Sequence, residues 1–219
     1  MRILFIGNSH TFANDMPFTF AQIATNQGED VDVVMLASPG VTLGWHAQHP
    51  ETRANITKGN WDYIILQQVA HPFAGFENLL TEARQLVKII QTTKAKPILF
   101  MPWASAKVPS AQRELEDSYL LASEKLQTAL APIGTIWWQL LNEHPSLNLF
   151  DPDQEHANAT GSYLAACIFY SLIFQRSPEG ISPISPVSSQ EAQLIQQYVA
   201  MSHIYRAQNP SPVQITGSR

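Results

Sequence analysis

Apolar residues in this chain gather into short unbroken runs, ILFI, VVML, YIIL and ILFM, and longer stretches follow in which apolar positions recur at helical spacing. A strand exposed on one face alternates apolar and polar residues, whereas an unbroken apolar run marks a strand covered on both faces. The pattern predicts strands over 3–6, 31–36, 63–67 and 97–101, with a short fifth over 134–137. Helices are predicted over 18–26, 76–93, 111–130, 162–174 and 190–207. Strands alternating with helices make a parallel sheet with crossover helices on both sides, so the expected fold class is a three-layer α/β/α sandwich with five parallel strands.

The chain shows no internal repeat and no long linker. RSPEGISPISPVSS is rich in Pro and Ser, but at its length it reads as a surface crossing. A single domain over 1–208 is expected, with a loose tail over 209–219. Of the 219 residues, 45% are hydrophobic and 14% charged, the balance of a folded domain. The net charge of −5 and the lack of a Lys/Arg stripe argue against nucleic acid as a partner. No run approaches the roughly 20 apolar residues of a membrane span, and the N-terminal run is too short for a signal peptide. No membrane association and a cytoplasmic location are therefore expected. The single cysteine, Cys167, sits among apolar neighbours and reads as a small buried residue.

Two stretches carry chemistry. ILFIGNSHTFAND is a strand that ends in Gly7-Asn8 and delivers Ser9 at the turn beyond it, where open α/β sheets place their ligands. FDPDQEHANATGSYLAA holds Asp153 and His156 three residues apart. At that spacing the carboxylate can accept a hydrogen bond from one imidazole nitrogen and leave the other to take a proton, which is what a serine nucleophile requires. Each stretch alone also fits ordinary turn and capping chemistry, and Asn14 and Asp15 read as caps of the first helix. His46 and His49 lack further ligands at metal spacing, and Pro50 beside them suggests a loop, so no metal is expected.

Taken in order, GNSHT near the start, Gly40 in ASPGVTL, a polar residue ending the third strand in WDYIILQQ, and D-x-x-H in DQEH resemble the sequence blocks of the SGNH/GDSL hydrolase superfamily. The resemblance is strongest to a bacterial branch of unassigned function in which GNS-x-T opens the chain and the histidine leads into a G-S-Y-L-A-A helix. It extends roughly through Pro178 and implies a flavodoxin-like fold. It also implies a catalytic triad of Ser9 as nucleophile, His156 as general base and acid, and Asp153 as its support. Asp151 lies near but does not match the family's spacing.

The resemblance further implies an oxyanion hole from the backbone N–H groups of Ser9 and Gly40 and a side-chain amide. Many members supply that amide from an Asn in G-x-N-D, which this chain lacks; Gln67 is the first candidate here, with Gln68 and His71 as alternatives. Asn8, His10, Trp45, Gln68 and Trp103 are candidate substrate contacts. The implied activity is hydrolysis of a small-molecule ester through an acyl-enzyme without a cofactor. An acetyl group on a sugar or polyol is the first expectation for the substrate. Longer acyl chains, as for a lipase or thioesterase, or a non-catalytic binding module on the same scaffold, are the alternatives.

Overall fold

The computed structural model describes residues 1–202 and 204. The expected tail over 209–219 and the last residues of the helix expected over 190–207 lie outside them. Five strands, β1 (Arg2–Gly7), β2 (Asp32–Ala37), β3 (Tyr63–Leu66), β4 (Lys96–Phe100) and β5 (Ala129–Ala131), form one sheet in the order β2-β1-β3-β4-β5. Every pairing is parallel. This order reverses between β1 and β3, so the crevice at their carboxyl ends is where such a sheet binds ligands.

The helices are α1 (Ser9–Phe12), α2 (Met16–Asn26), α3 (Leu43–Gln48), α4 (Pro50–Lys58), α5 (Phe76–Ile90), α6 (Gln112–Leu126), α7 (Ile133–Glu143), α8 (Ala159–Phe174) and α9 (Ser189–Met201). Successive residues of a strand face opposite sides of the sheet. On β1, Ile3 and Phe5 enter one apolar cluster with α2, α7, α8 and α9, while Leu4 and Ile6 enter another with α3, α5 and α6. That division explains the unbroken run ILFI. Helix α8 is buried from Thr160 to Ile173, as its apolar composition on all sides requires. Cys167 lies inside it, fully buried, and burial pushes its thiol up to about 12. Among the described residues no helix is long and apolar enough to cross a membrane.

Two elements differ from the sequence reading. The fifth strand is Ala129–Ala131, and the expected strand over 134–137 is instead part of α7. Ile133, Ile136, Trp137 and Leu140 have the i, i+3, i+4, i+7 spacing of a helix face, and all four are buried. The true strand, only three residues of Ala and Leu, overlaps the end of the helix expected over 111–130, which stops at Leu126, and carries no β-branched signal. Pro50 begins α4 rather than marking a loop, since proline at a first helical position forfeits no hydrogen bond.

Candidate active site

Strand β1 ends at Gly7, where a Cβ would stand 2.3 Å from Thr11 Oγ1 and 2.6 Å from Gln67 Oε1, so only glycine fits. Asn8 caps α1: its Oδ1 accepts from His10 N–H at 3.1 Å, and its Nδ2 donates to the Val41 carbonyl at 3.2 Å. The second bond ties the Ser9 turn to the loop that carries Gly40. Below the turn, Gln67 Oε1 accepts from Asn8 N–H and from the Thr11 hydroxyl, both at 3.0 Å. His46 Nε2 donates to the Gly7 carbonyl at 2.8 Å, and its Nδ1 accepts from the Thr52 hydroxyl at 3.1 Å. Burial holds His46 below the usual imidazole range, which preserves this neutral arrangement. Ser9 is thus presented, half-buried, from a turn held by the buried side chains of Gln67 and His46 and by the Val41 carbonyl.

The other stretch folds on itself. The Asp151 N–H donates to the His156 carbonyl at 2.9 Å, and an antiparallel bridge joins Phe150 to Ala157. Asp153 Oδ1 accepts from the N–H groups of Glu155 and His156, both at 2.9 Å, while Oδ2 accepts from His156 Nδ1 at 2.5 Å. The free side of the ring, Nε2, accepts from Ser9 Oγ at 2.8 Å. Burial opposes charge on Asp153, but the hydrogen bonds from the His156 ring and the two backbone N–H groups prevail and hold its carboxyl well below the usual range. Ser9, His156 and Asp153 therefore form one hydrogen-bonded row.

Two links bring the stretches together. Asn14 Nδ2 donates to the Ala157 carbonyl at 2.7 Å and to Ser162 Oγ at 3.1 Å, so Asn14 joins the segment after Ser9 to the residues that follow His156 instead of capping a helix. Asp15 stands at the N-cap of α2 without a side-chain capping bond. After β4, Trp103 Nε1 donates to the Glu155 carbonyl at 2.9 Å, and Ser105 Oγ and Ala106 N–H donate to the Gln154 carbonyl.

The N–H of Ser9, at the first position of α1, has no carbonyl partner within the helix. Gly40 is exposed and adopts φ +66°, a left-handed conformation that glycine accepts without strain. The glutamine amides lie elsewhere than expected. Gln67 is fully buried, and its Nε2 donates to the Gln68 carbonyl. Gln68 accepts from Leu43 and Val69 N–H and donates to Asn78 and Glu82. Glu82 also accepts from Gly44 N–H at 2.8 Å. Both glutamines thus serve as internal struts, Gln67 under the Ser9 turn and Gln68 at the start of α3, with their donors already used.

Among the remaining candidates, Trp103 is buried and stacked on Trp137 at 4.1 Å and 6°, so it presents no face to a ligand. Trp45 is 42% exposed and stacks on His49 at 4.3 Å. His10 packs between three rings, 5.0 Å from that of His71, 5.0 Å from that of His156 and 5.3 Å from that of Trp103. Burial first, then the neighbouring His71 and His156, lowers His10 to about 3, so it remains neutral. No group of three or more His, Cys, Asp or Glu among the described residues is arranged to hold a metal ion. The sequence reading missed the supports Glu82, Asn78 and Thr52, whose partners lie on other elements: Glu82 and Asn78 on α5 meet Gln68 after β3, and Thr52 on α4 meets His46 on α3.

The sequence matches no protein-family model, and no curated protein matches it. Solved structures share its fold. A DUF4886 family protein from Bacteroides uniformis is 14% identical with a TM-score of 0.81, the match covering 94% of this chain and 95% of that one. The esterase EstA from Pseudoalteromonas sp., in a structure inhibited by monoethylphosphonate, is 15% identical with a TM-score of 0.62, covering 80% and 97%. A member of the lipolytic protein G-D-S-L family from Veillonella parvula is 16% identical with a TM-score of 0.58, covering 80% and 99%. At these identities the likeness establishes the fold, which this chain shares with lipolytic proteins and esterases.

Proposed function

We propose that this chain is a serine ester hydrolase of the SGNH/GDSL type, and the hydrogen-bonded row Ser9–His156–Asp153 is the observation that carries the reading. His156 Nε2 takes the Ser9 proton as Oγ attacks the ester carbonyl, and the ionised Asp153 stabilises the imidazolium that results. The same proton then goes to the leaving alkoxide, and an acyl-enzyme remains for water to hydrolyse through the same base. The N–H groups of Ser9 and Gly40 receive the developing oxyanion. Gln67 contributes indirectly, by fixing the turn that aims Ser9 N–H.

A small acyl group such as acetyl remains the first substrate reading. Its sugar component follows from the resemblance, and of the two candidate tryptophans the burial of Trp103 leaves only Trp45 exposed to support it. The lipase or thioesterase alternative is separated by nitrophenyl esters from acetyl to decanoyl. The test of the whole reading is a fluorophosphonate probe followed by peptide mapping. Modification of Ser9, abolished in Ser9→Ala, is expected. A folded wild type that leaves Ser9 unmodified would favour the non-catalytic binding module.

A further inference from the structure

Beside the row of catalytic candidates, the loops after β3 and β4 enclose a cavity of about 460 Å³. Its apolar lining comes from Ala70 and Phe73 after β3, Val108 and Ala111 after β4, and Leu115 on α6. Two further lining residues, Glu155 and His71, place the cavity near His156. Glu155 is covalently joined to His156, and the His71 ring stands 5.0 Å from that of His10, itself 5.0 Å from that of His156.

We propose that this cavity binds the leaving alcohol of the ester, and that the alcohol it accepts is apolar. The inference rests on the reading of Ser9 and His156 given above. In acyl transfer the carbonyl oxygen must turn toward the Ser9 and Gly40 N–H groups, while the leaving oxygen must come within reach of His156 Nε2 to receive its proton. The remainder of the alcohol then extends on the His156 side, where the cavity lies.

The lining decides what kind of alcohol fits. Val108 is 54% exposed, a large apolar side chain left open to solvent at the wall of a cavity, which a covering apolar group would remove from water. Lys107 Nζ pairs with Glu155 Oε1 at 3.1 Å, and Glu114 adds a second carboxylate, so the charged lining is net negative and repels an acid-bearing alcohol. A sugar could pair some hydroxyls with Ser105, Lys107, Glu114 or Glu155, but those laid against Ala70, Phe73 and Val108 would find no side-chain partner.

The test is release of acetic acid from methyl, butyl and hexyl acetate, whose alcohols differ little in acidity and so separate binding from leaving-group reactivity. For wild type, kcat/KM is expected to rise by roughly threefold per methylene while the cavity fills. Ala111→Phe fills the cavity and should flatten the series while methyl acetate changes less than about twofold. Val108→Glu, at an exposed position that spares the core, should depress hexyl acetate selectively. A flat alcohol series in a wild type whose Ser9 is labelled by fluorophosphonate overturns this proposal alone. So does a slope that neither variant changes. Failure of Ser9 to react overturns the proposal together with the reading on which it rests.

Discussion

The two halves of the candidate site are built in opposite ways. The Ser9 turn is held from below by Gln67, His46 and Asn8, whose partners lie 33 to 59 residues away in sequence, and it is mostly buried. The Asp153 and His156 side chains are joined within their own turn, through bonds spanning two or three residues, while Trp103, Ser105 and Ala106 hold only the backbone carbonyls of Gln154 and Glu155; the two side chains remain 47% and 30% exposed. A serine on a rigid base can keep its N–H aimed at one point, whereas an imidazole whose carboxylate partner lies three residues away keeps its tautomer through a local bond. The contrast means that function and stability should separate cleanly on one side and be coupled on the other.

The largest expected effect is on the exposed side. Asp153→Asn removes the charge that supports the imidazolium and should lower kcat by about 10⁴-fold, as it does where such triads operate. Because Asp153 is half-exposed, its melting temperature should move by less than about 4 °C. Steady-state kinetics and calorimetry on one preparation check both. A large loss of stability would show that the turn is not self-supporting.

Gln67→Ala should behave in the opposite way. It strands the buried Asn8 N–H and Thr11 hydroxyl and opens a cavity, at a cost of about 3 kcal/mol in stability. A melting-temperature drop of about 6–12 °C should accompany a loss of kcat smaller than that of Asp153→Asn. An unchanged melting temperature would contradict the role given to Gln67 as a strut.

What could be read in the sequence follows the same division. The Asp153/His156 pair was legible because its geometry is local, and Ser9 because a strand end followed by Gly-Asn fixes where a side chain emerges. The glutamines were legible as polar residues at a strand end, but their direction was not, since it depends on Thr11 and on Glu82 from distant helices. Trp103 follows β4 as expected, yet its burial depends on Trp137, which the sequence reading had placed in a strand. The parallel sheet and its layers were carried by the unbroken apolar runs, which do not encode the strand order, whereas β5 had too few residues to announce itself.

The smallest effect concerns His10, which sits between the two halves. Its ordinary value of 6.5 falls to about 3 in the folded chain, mainly through burial. Between those values the unfolded chain holds the extra proton, so this contribution is complete above pH 6.5 and is lost as pH falls toward about 3. The slope is at most about 1.4 kcal/mol per pH unit. His46, His71 and Asp153 act in the same direction. Denaturant titrations at pH 7 and pH 4.5 should show a shallower decline for His10→Phe than for wild type. An equal decline would mean that His10 is accessible to protons in the native state.

The claim at the centre is that Ser9 and His156 act as one unit across the carboxyl edge of the sheet. Hydrolysis of 4-nitrophenyl acetate by Ser9→Ala, His156→Ala and the double variant tests it most directly. Residues that work as a unit lose their contribution once, so the double variant should retain the same residual rate as either single one. Two separate losses that multiply in the double variant would show that the hydroxyl and the imidazole work independently, and would contradict the account.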